Sequence, residues 1–130
     1  MAIVAAPRIL RRVPADAEQV PRLRAAVTAF TSRHCVHSEE TRQAVALAVT
    51  EACGNVVRHA YPDRRGELTL TAWVDDDELT LLVVDTGIGL GGATSDAGLG
   101  LGLPLMREVA DARVSCDQPG TQVRLTFPRR

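Results

Sequence analysis

The chain has 130 residues, 45% of them apolar and 24% charged, with a formal net charge of −1 at pH 7. That length makes one domain, residues 1–130, able to bury roughly two-thirds of the surface its unfolded chain exposes. The near-balanced charge argues against a nucleic-acid binder working by bulk electrostatics. No run approaches the ~20 apolar residues of a membrane span, and Met1-Ala-Ile-Val-Ala-Ala-Pro7 lacks the basic start and apolar core of a signal peptide. The cytoplasm is therefore the expected location.

All 15 of the Lys and Arg residues are Arg. A Walker-type phosphate loop depends on its Lys, so that route to phosphate binding is closed. Cys35, Cys53 and Cys116 are widely spaced and form no Cys-x-x-Cys pair, which predicts reduced thiols rather than a metal site or a disulfide framework.

In chain order, Arg8-Ile-Leu-Arg-Arg-Val13 alternates loosely and predicts a first strand. Pro14 and Asp16 punctuate the chain, and Asp16 is the expected cap of a helix running to about Arg33. Its apolar positions Val20, Leu23, Val27 and Phe30 follow 3–4 spacing, and Pro21 falls within its first turn, where a missing N–H costs little. Ser38 followed by Glu39, Glu40 and Thr41 starts a second helix with acids at the positive dipole end. That helix should reach about His59 and stop at Tyr61-Pro62, because a residue before Pro avoids helical geometry.

Glu67-Leu-Thr-Leu-Thr-Ala-Trp-Val74 alternates with period two, as a half-buried strand does. An acidic turn follows, and residues 78–85 pair back as an antiparallel strand. Residues 90–97 form a loop of small residues, short enough to be a mobile lid. Residues 101–110 are a third helix, and residues 114–116 and 122–127 close the chain as a hairpin around Pro119-Gly120. The order βααββαββ predicts an α+β two-layer sandwich, helices on one face of a mixed sheet.

Three segments carry the chemistry. On the second helix Glu51 and Asn55 share a face at i, i+4, with Arg58 continuing the polar stripe beside an apolar one of Val45, Val49, Ala52 and Val56. Such a stripe is either a partly exposed polar patch or a pair completed by a ligand, since unpaired buried polar groups are costly. Asp85, after the apolar Leu81-Leu-Val-Val84 and before Thr86-Gly87-Ile88-Gly89, is either a strand-ending turn or an acid able to read a base edge. In the second case the glycines let the backbone come close. In Gly98-Leu99-Gly100-Leu101-Gly102, three glycines entering a helix form a nest of N–H groups suited to phosphates. A dinucleotide-binding fingerprint fits this run poorly, because a loop rather than a strand precedes it. Carbonyl, base reader and phosphate cradle in this order describe a magnesium–nucleotide site. His59 is the expected helix-end residue facing the negative dipole, and Thr121 a hairpin residue.

With these residues laid out, the chain resembles the GHKL ATPase superfamily, which shares the Bergerat nucleotide pocket. Within it the likeness is to the bacterial anti-sigma-factor serine/threonine kinases of the RsbW and SpoIIAB kind. Glu51 to Tyr61 looks like the N box of that family, Asp85-x-Gly87-x-Gly89 like its G1 box, and Gly98-x-Gly100-x-Gly102 like its G2 box. Gly120-Thr121 resembles the terminal Gly-Thr of the fold. The resemblance implies that Asn55 holds Mg²⁺ and that Asp85 accepts the adenine amino proton, with Thr121 assisting. It also implies that Gly87, Gly89 and the segment Gly98 to Gly102, with Leu99 and Leu101, line the ATP site, and that Glu51 is the general base.

The implied partners are a sigma factor, which is sequestered, and a STAS-type anti-anti-sigma protein, which is phosphorylated on Ser or Thr; neither nucleic acid nor membrane is contacted directly. A homodimer is also implied. The alternative is a non-catalytic ATP-binding module in partner switching. One departure from the family pattern is the lid, which is short and has no basic residue, so the sequence leaves open which Arg faces the γ-phosphate.

Overall fold

The structure, a computed structural model, describes residues 7–34, 38–75, 77–88, 111–115 and 120–129, and for 111–115 the backbone alone. The expected lid, the third helix, Cys35, Cys116, Gly89 and the run Gly98 to Gly102 lie outside the described residues.

The elements follow the order strand β1 (Arg8–Pro14), helices α1 (Gln19–Arg33) and α2 (Glu39–Asn55), and a π-helical turn (Val56–Ala60). Strands β2 (Glu67–Val74), β3 (Glu78–Asp85), β4 (Asp111–Ser115) and β5 (Thr121–Pro128) complete them. They form an α+β sandwich around a five-stranded sheet of order β1-β2-β3-β5-β4. Every described pairing is antiparallel, where the sequence pattern predicts a mixed sheet. For β2 and β3 the physical reason is local: they are joined by a turn in which the Asp75 carboxylate accepts from the N–H groups of Asp77 and Glu78, at 3.0 and 2.8 Å. So tight a connection permits only an antiparallel return.

Period-two alternation puts Leu68, Leu70, Ala72 and Val74 of β2 on the helix-facing side, with Leu79, Leu81 and Val83 of β3 and Val123, Leu125 and Phe127 of β5. They meet Leu23, Val27 and Phe30 of α1 and Val45, Ala48, Val49 and Ala52 of α2 in one core. Each fully buried Leu, Val or Phe side chain contributes about 1.5–3 kcal/mol. Asp85 and Thr121 continue the inward rows of β3 and β5 and stand opposite each other in register. The two polar residues thus occupy the end of an otherwise apolar face.

Both helix starts can be read chemically. Ser38 caps α2, its Oγ accepting from the Thr41 N–H at 3.1 Å. The expected Asp16 cap does not form. Helix α1 begins at Gln19 after Glu18, with no side-chain cap. A cap must find a free N–H at the second or third helical position. In α1 those positions are Val20 and Pro21, four and five residues beyond Asp16, and the cap position itself is taken by Glu18. Asp16 instead accepts the Gln19 N–H through its backbone carbonyl at 3.0 Å. The thiol of Cys53 is buried and its pKa pushed up to about 12 by desolvation, which keeps it protonated and inert.

Candidate nucleotide site

Two regions supply the site: the C-terminal end of α2 with its π-helical turn, and the turn that leaves β3. Helix α2 carries Glu51 and Asn55 one turn apart, as the i, i+4 spacing requires. Asn55 is 6% exposed although polar, and Glu51 is half-buried. A π-helical turn, Val56–Ala60, follows Asn55 directly, and the Val56 N–H at the junction is shared between the carbonyls of Ala52 and Cys53. Such π-helical turns recur at functional sites. The turn ends at Tyr61, whose φ −130° and ψ 68° are non-helical, as the clash with the following Pro62 ring requires.

The β3 exit is built around Asp85. Its carboxylate is buried, with Oδ1 accepting the Gly87 N–H at 2.9 Å and the Thr121 N–H also donating to the group. Desolvation raises the Asp85 pKa, and these two backbone donors act the other way by favouring the charged form. Gly87 is needed for close approach: a Cβ there would run into the Ala60 carbonyl oxygen, and would stand 2.8 Å from the Ala60 Cβ. The Ile88 N–H donates to that same carbonyl at 3.0 Å, which ties the β3 turn to the end of the π-helical turn. Gly120 has φ +114°, and a Cβ there would meet the Asp85 carbonyl oxygen. Only glycine lets β5 begin where Thr121 can face Asp85.

A second tie was not visible in the residue pattern. The Tyr61 hydroxyl donates to the Glu67 carbonyl at 2.5 Å and accepts the Thr86 N–H at 3.0 Å. Arg64 lies 5.4 Å from the centroid of the Tyr61 ring and donates to the Thr86 carbonyl at 3.0 Å. Both backbone groups of Thr86 are therefore held by side chains from the segment after α2. Ile88, the next residue but one, is 59% exposed and leaves an apolar surface beside Asp85. Tyr61 next to Pro62, with Gly66 close behind, was the only sequence signal for this bracket.

The structure brings Asp85, Gly87 and Thr121 together and places Glu51 and Asn55 on one helix face. Gly89, Gly98, Leu99, Gly100, Leu101 and Gly102 are not among the described residues. His59 is exposed at the helix end. Among the described residues no cluster of three or more His, Cys, Asp or Glu could hold a metal ion by itself, and no helix is long and apolar enough to cross a membrane.

Residues 13–127 match the family described as histidine kinase-like ATPase domain. The chain belongs to that family. The chain is 29% identical over 93 residues to serine-protein kinase RsbW of Bacillus mycoides (strain KBAB4), covering 72% of this chain and 58% of the relative. It is 31% identical over 81 residues to serine-protein kinase RsbW of Bacillus cereus (strain ATCC 10987 / NRS 248), covering 62% and 50%. The chain thus spans about half the length of the curated relatives it matches. The matched region 13–127 contains every residue of the candidate site.

Proposed function

We propose that the chain is a Mg²⁺-dependent serine/threonine protein kinase that phosphorylates a STAS-type antagonist and, in its other state, sequesters a sigma factor. Membership of an ATPase family supports nucleotide binding, and the similarity to proteins named serine-protein kinase supports transfer to a hydroxyl. The observation that carries the reading is Asp85. It is a buried acid with two backbone donors, set in register with Thr121 and held by a glycine turn against the end of α2. Its unused lone pairs suit the exocyclic amino group of adenine, and Thr121 stands beside it.

Asn55 is the group offered to Mg²⁺. An amide oxygen is a hard ligand, and Mg²⁺ needs only one or two protein ligands when nucleotide phosphates supply others. The buried Asn55 Nδ2 has no hydrogen-bond partner, an orphaned donor of the kind a bound anion satisfies. When bound, the ion neutralises charge on the transferring phosphoryl group. Glu51 has no hydrogen-bond or ion-pair partner among the described residues and is half-buried on the same face, so its carboxylate is available as a general base. In the proposed reaction Glu51 takes the proton from the substrate hydroxyl. The hydroxyl oxygen forms a bond to the γ-phosphorus, the bond to the β,γ-bridging oxygen breaks, and its electron pair leaves with ADP.

Titration calorimetry with ATP and Mg²⁺, followed by transfer of labelled phosphate to the STAS protein, tests the two parts in turn. ATP binding without transfer to a cognate partner would move the function to a non-catalytic ATP-binding module. No ATP binding would remove both readings.

A further inference from the structure

Asn55 stands where the regular helix α2 passes into the π-helical turn, and its two side-chain ends are in opposite situations. Oδ1 accepts a hydrogen bond from Arg58 Nη2 at 2.8 Å, while the buried Nδ2 has no partner. A guanidinium carries donors only, so the atom facing it must be the oxygen, and turning the amide over would only break the contact. Arg58 reaches back because residue 54 is glycine: a Cβ there would stand 2.9 Å from Nη1 and 3.5 Å from Cζ. Arg58 is exposed, and among the described residues no ion pair involves it. The oxygen that suits a divalent cation is thus already covered by a cation of the chain's own, one with little to lose by leaving it.

Building on the nucleotide reading, we infer that Arg58 is a resident counter-cation. It holds the Asn55 carbonyl in the nucleotide-free chain and must release it before that oxygen can take Mg²⁺. A guanidinium and a metal ion on one oxygen would lie roughly 4 Å apart and repel each other. The two therefore compete, and the metal dependence of nucleotide binding reports the competition. The burial of an unpaired Nδ2 fits the same picture, since the amide is complete only when a ligand supplies an acceptor.

The test uses Arg58→Met, which keeps most of the side-chain length and removes the charge. In the nucleotide-free full-length chain, the side-chain amide resonances of Asn55 should move on this substitution; unmoved resonances overturn the inference. ATP affinity is then measured by calorimetry across a range of Mg²⁺ concentrations. The Mg²⁺ concentration giving half of the affinity gain should fall by about threefold to fivefold in the variant, the factor expected for losing one exposed charged contact. An unchanged or higher midpoint overturns the competition. A loss of ATP affinity in EDTA with the midpoint unmoved would instead assign Arg58 to the phosphates, and also overturns it. A parental chain that binds no ATP at any Mg²⁺ concentration brings down the nucleotide reading and this inference together, whereas ATP binding with an unshifted midpoint brings down this inference alone.

Discussion

The two sides of the candidate site are built on opposite principles. At the β3 exit every polar group named above has a partner: Asp85 has the N–H groups of Gly87 and Thr121, Ala60 has Ile88, and Thr86 has Tyr61 and Arg64. On α2, Glu51 is unpartnered among the described residues, Asn55 keeps an orphaned Nδ2, and its oxygen is met only by an exposed guanidinium. The first side is preorganised, so a ligand group can bind there without rearrangement. The second leaves polar groups unsatisfied among the described residues, which is where the proposed ligand would add contacts. Substitutions on the first side should therefore change stability and affinity, and those on the second should change chemistry with little effect on folding.

The largest effect expected breaks or confirms the second half of that contrast. Glu51→Gln keeps the shape and removes the proton acceptor, so phosphotransfer should fall by about 10²–10⁴ with ATP affinity and thermal stability preserved. Transfer at the parental rate would reject Glu51 as the base. Next comes Gly87→Ala, whose Cβ would run into the carbonyl and the Cβ of Ala60. Chemical denaturation should show a loss of about 1–3 kcal/mol, and a midpoint equal to that of the parent would mean the turn is loosely held.

Asp85→Asn should weaken ATP binding by about tenfold, the scale of one buried hydrogen bond, as calorimetry reads it. The same variant carries a pH signature. Asp85 has a folded pKa raised above its ordinary 3.8, so between those values the native state binds more protons than the unfolded state. Stability from this group therefore falls as pH rises through that window. Relative to the parent, Asp85→Asn should gain stability from acidic to neutral pH, and a difference that shrinks as pH rises would contradict the burial argument. The smallest change is Tyr61→Phe, which removes the hydroxyl that holds the Thr86 N–H. A loss of about 0.5–1.5 kcal/mol and faster hydrogen exchange at Thr86 are expected. Unaltered exchange there would show that Arg64 alone fixes the turn.

Some of this was legible residue by residue. Ser38 followed by two acids predicts the start of α2, and Tyr61-Pro62 the end of the helical segment, though α2 itself stops at Asn55 and the last turn, expected as ordinary helix, is π-helical. The alternation of β2 predicts its buried row. Asp16 fails as a cap because the helix starts at Gln19, with Glu18 in the cap position, and the Gln19 N–H goes to the Asp16 backbone carbonyl. The Arg58–Asn55 contact lay within reach of the i, i+3 spacing, but the room for it depends on Gly54 having no Cβ.

Among the described residues, the sequence by itself determined where the helices and strands lie, the inward rows of the sheet and the residue types offered to a nucleotide. These depend on periodicity and on chemistry carried within single segments. Only the tertiary structure decided the antiparallel order β1-β2-β3-β5-β4, the facing of Asp85 and Thr121, and the bracket of Ala60, Tyr61 and Arg64 around Thr86 to Ile88. The Asp85–Thr121 facing and the bracket around Thr86 to Ile88 join residues 22 to 36 positions apart, as Arg64 with Thr86 and Asp85 with Thr121 illustrate. No local preference encodes such pairings; they are chosen by which packing buries the apolar rows while leaving each buried polar group a partner.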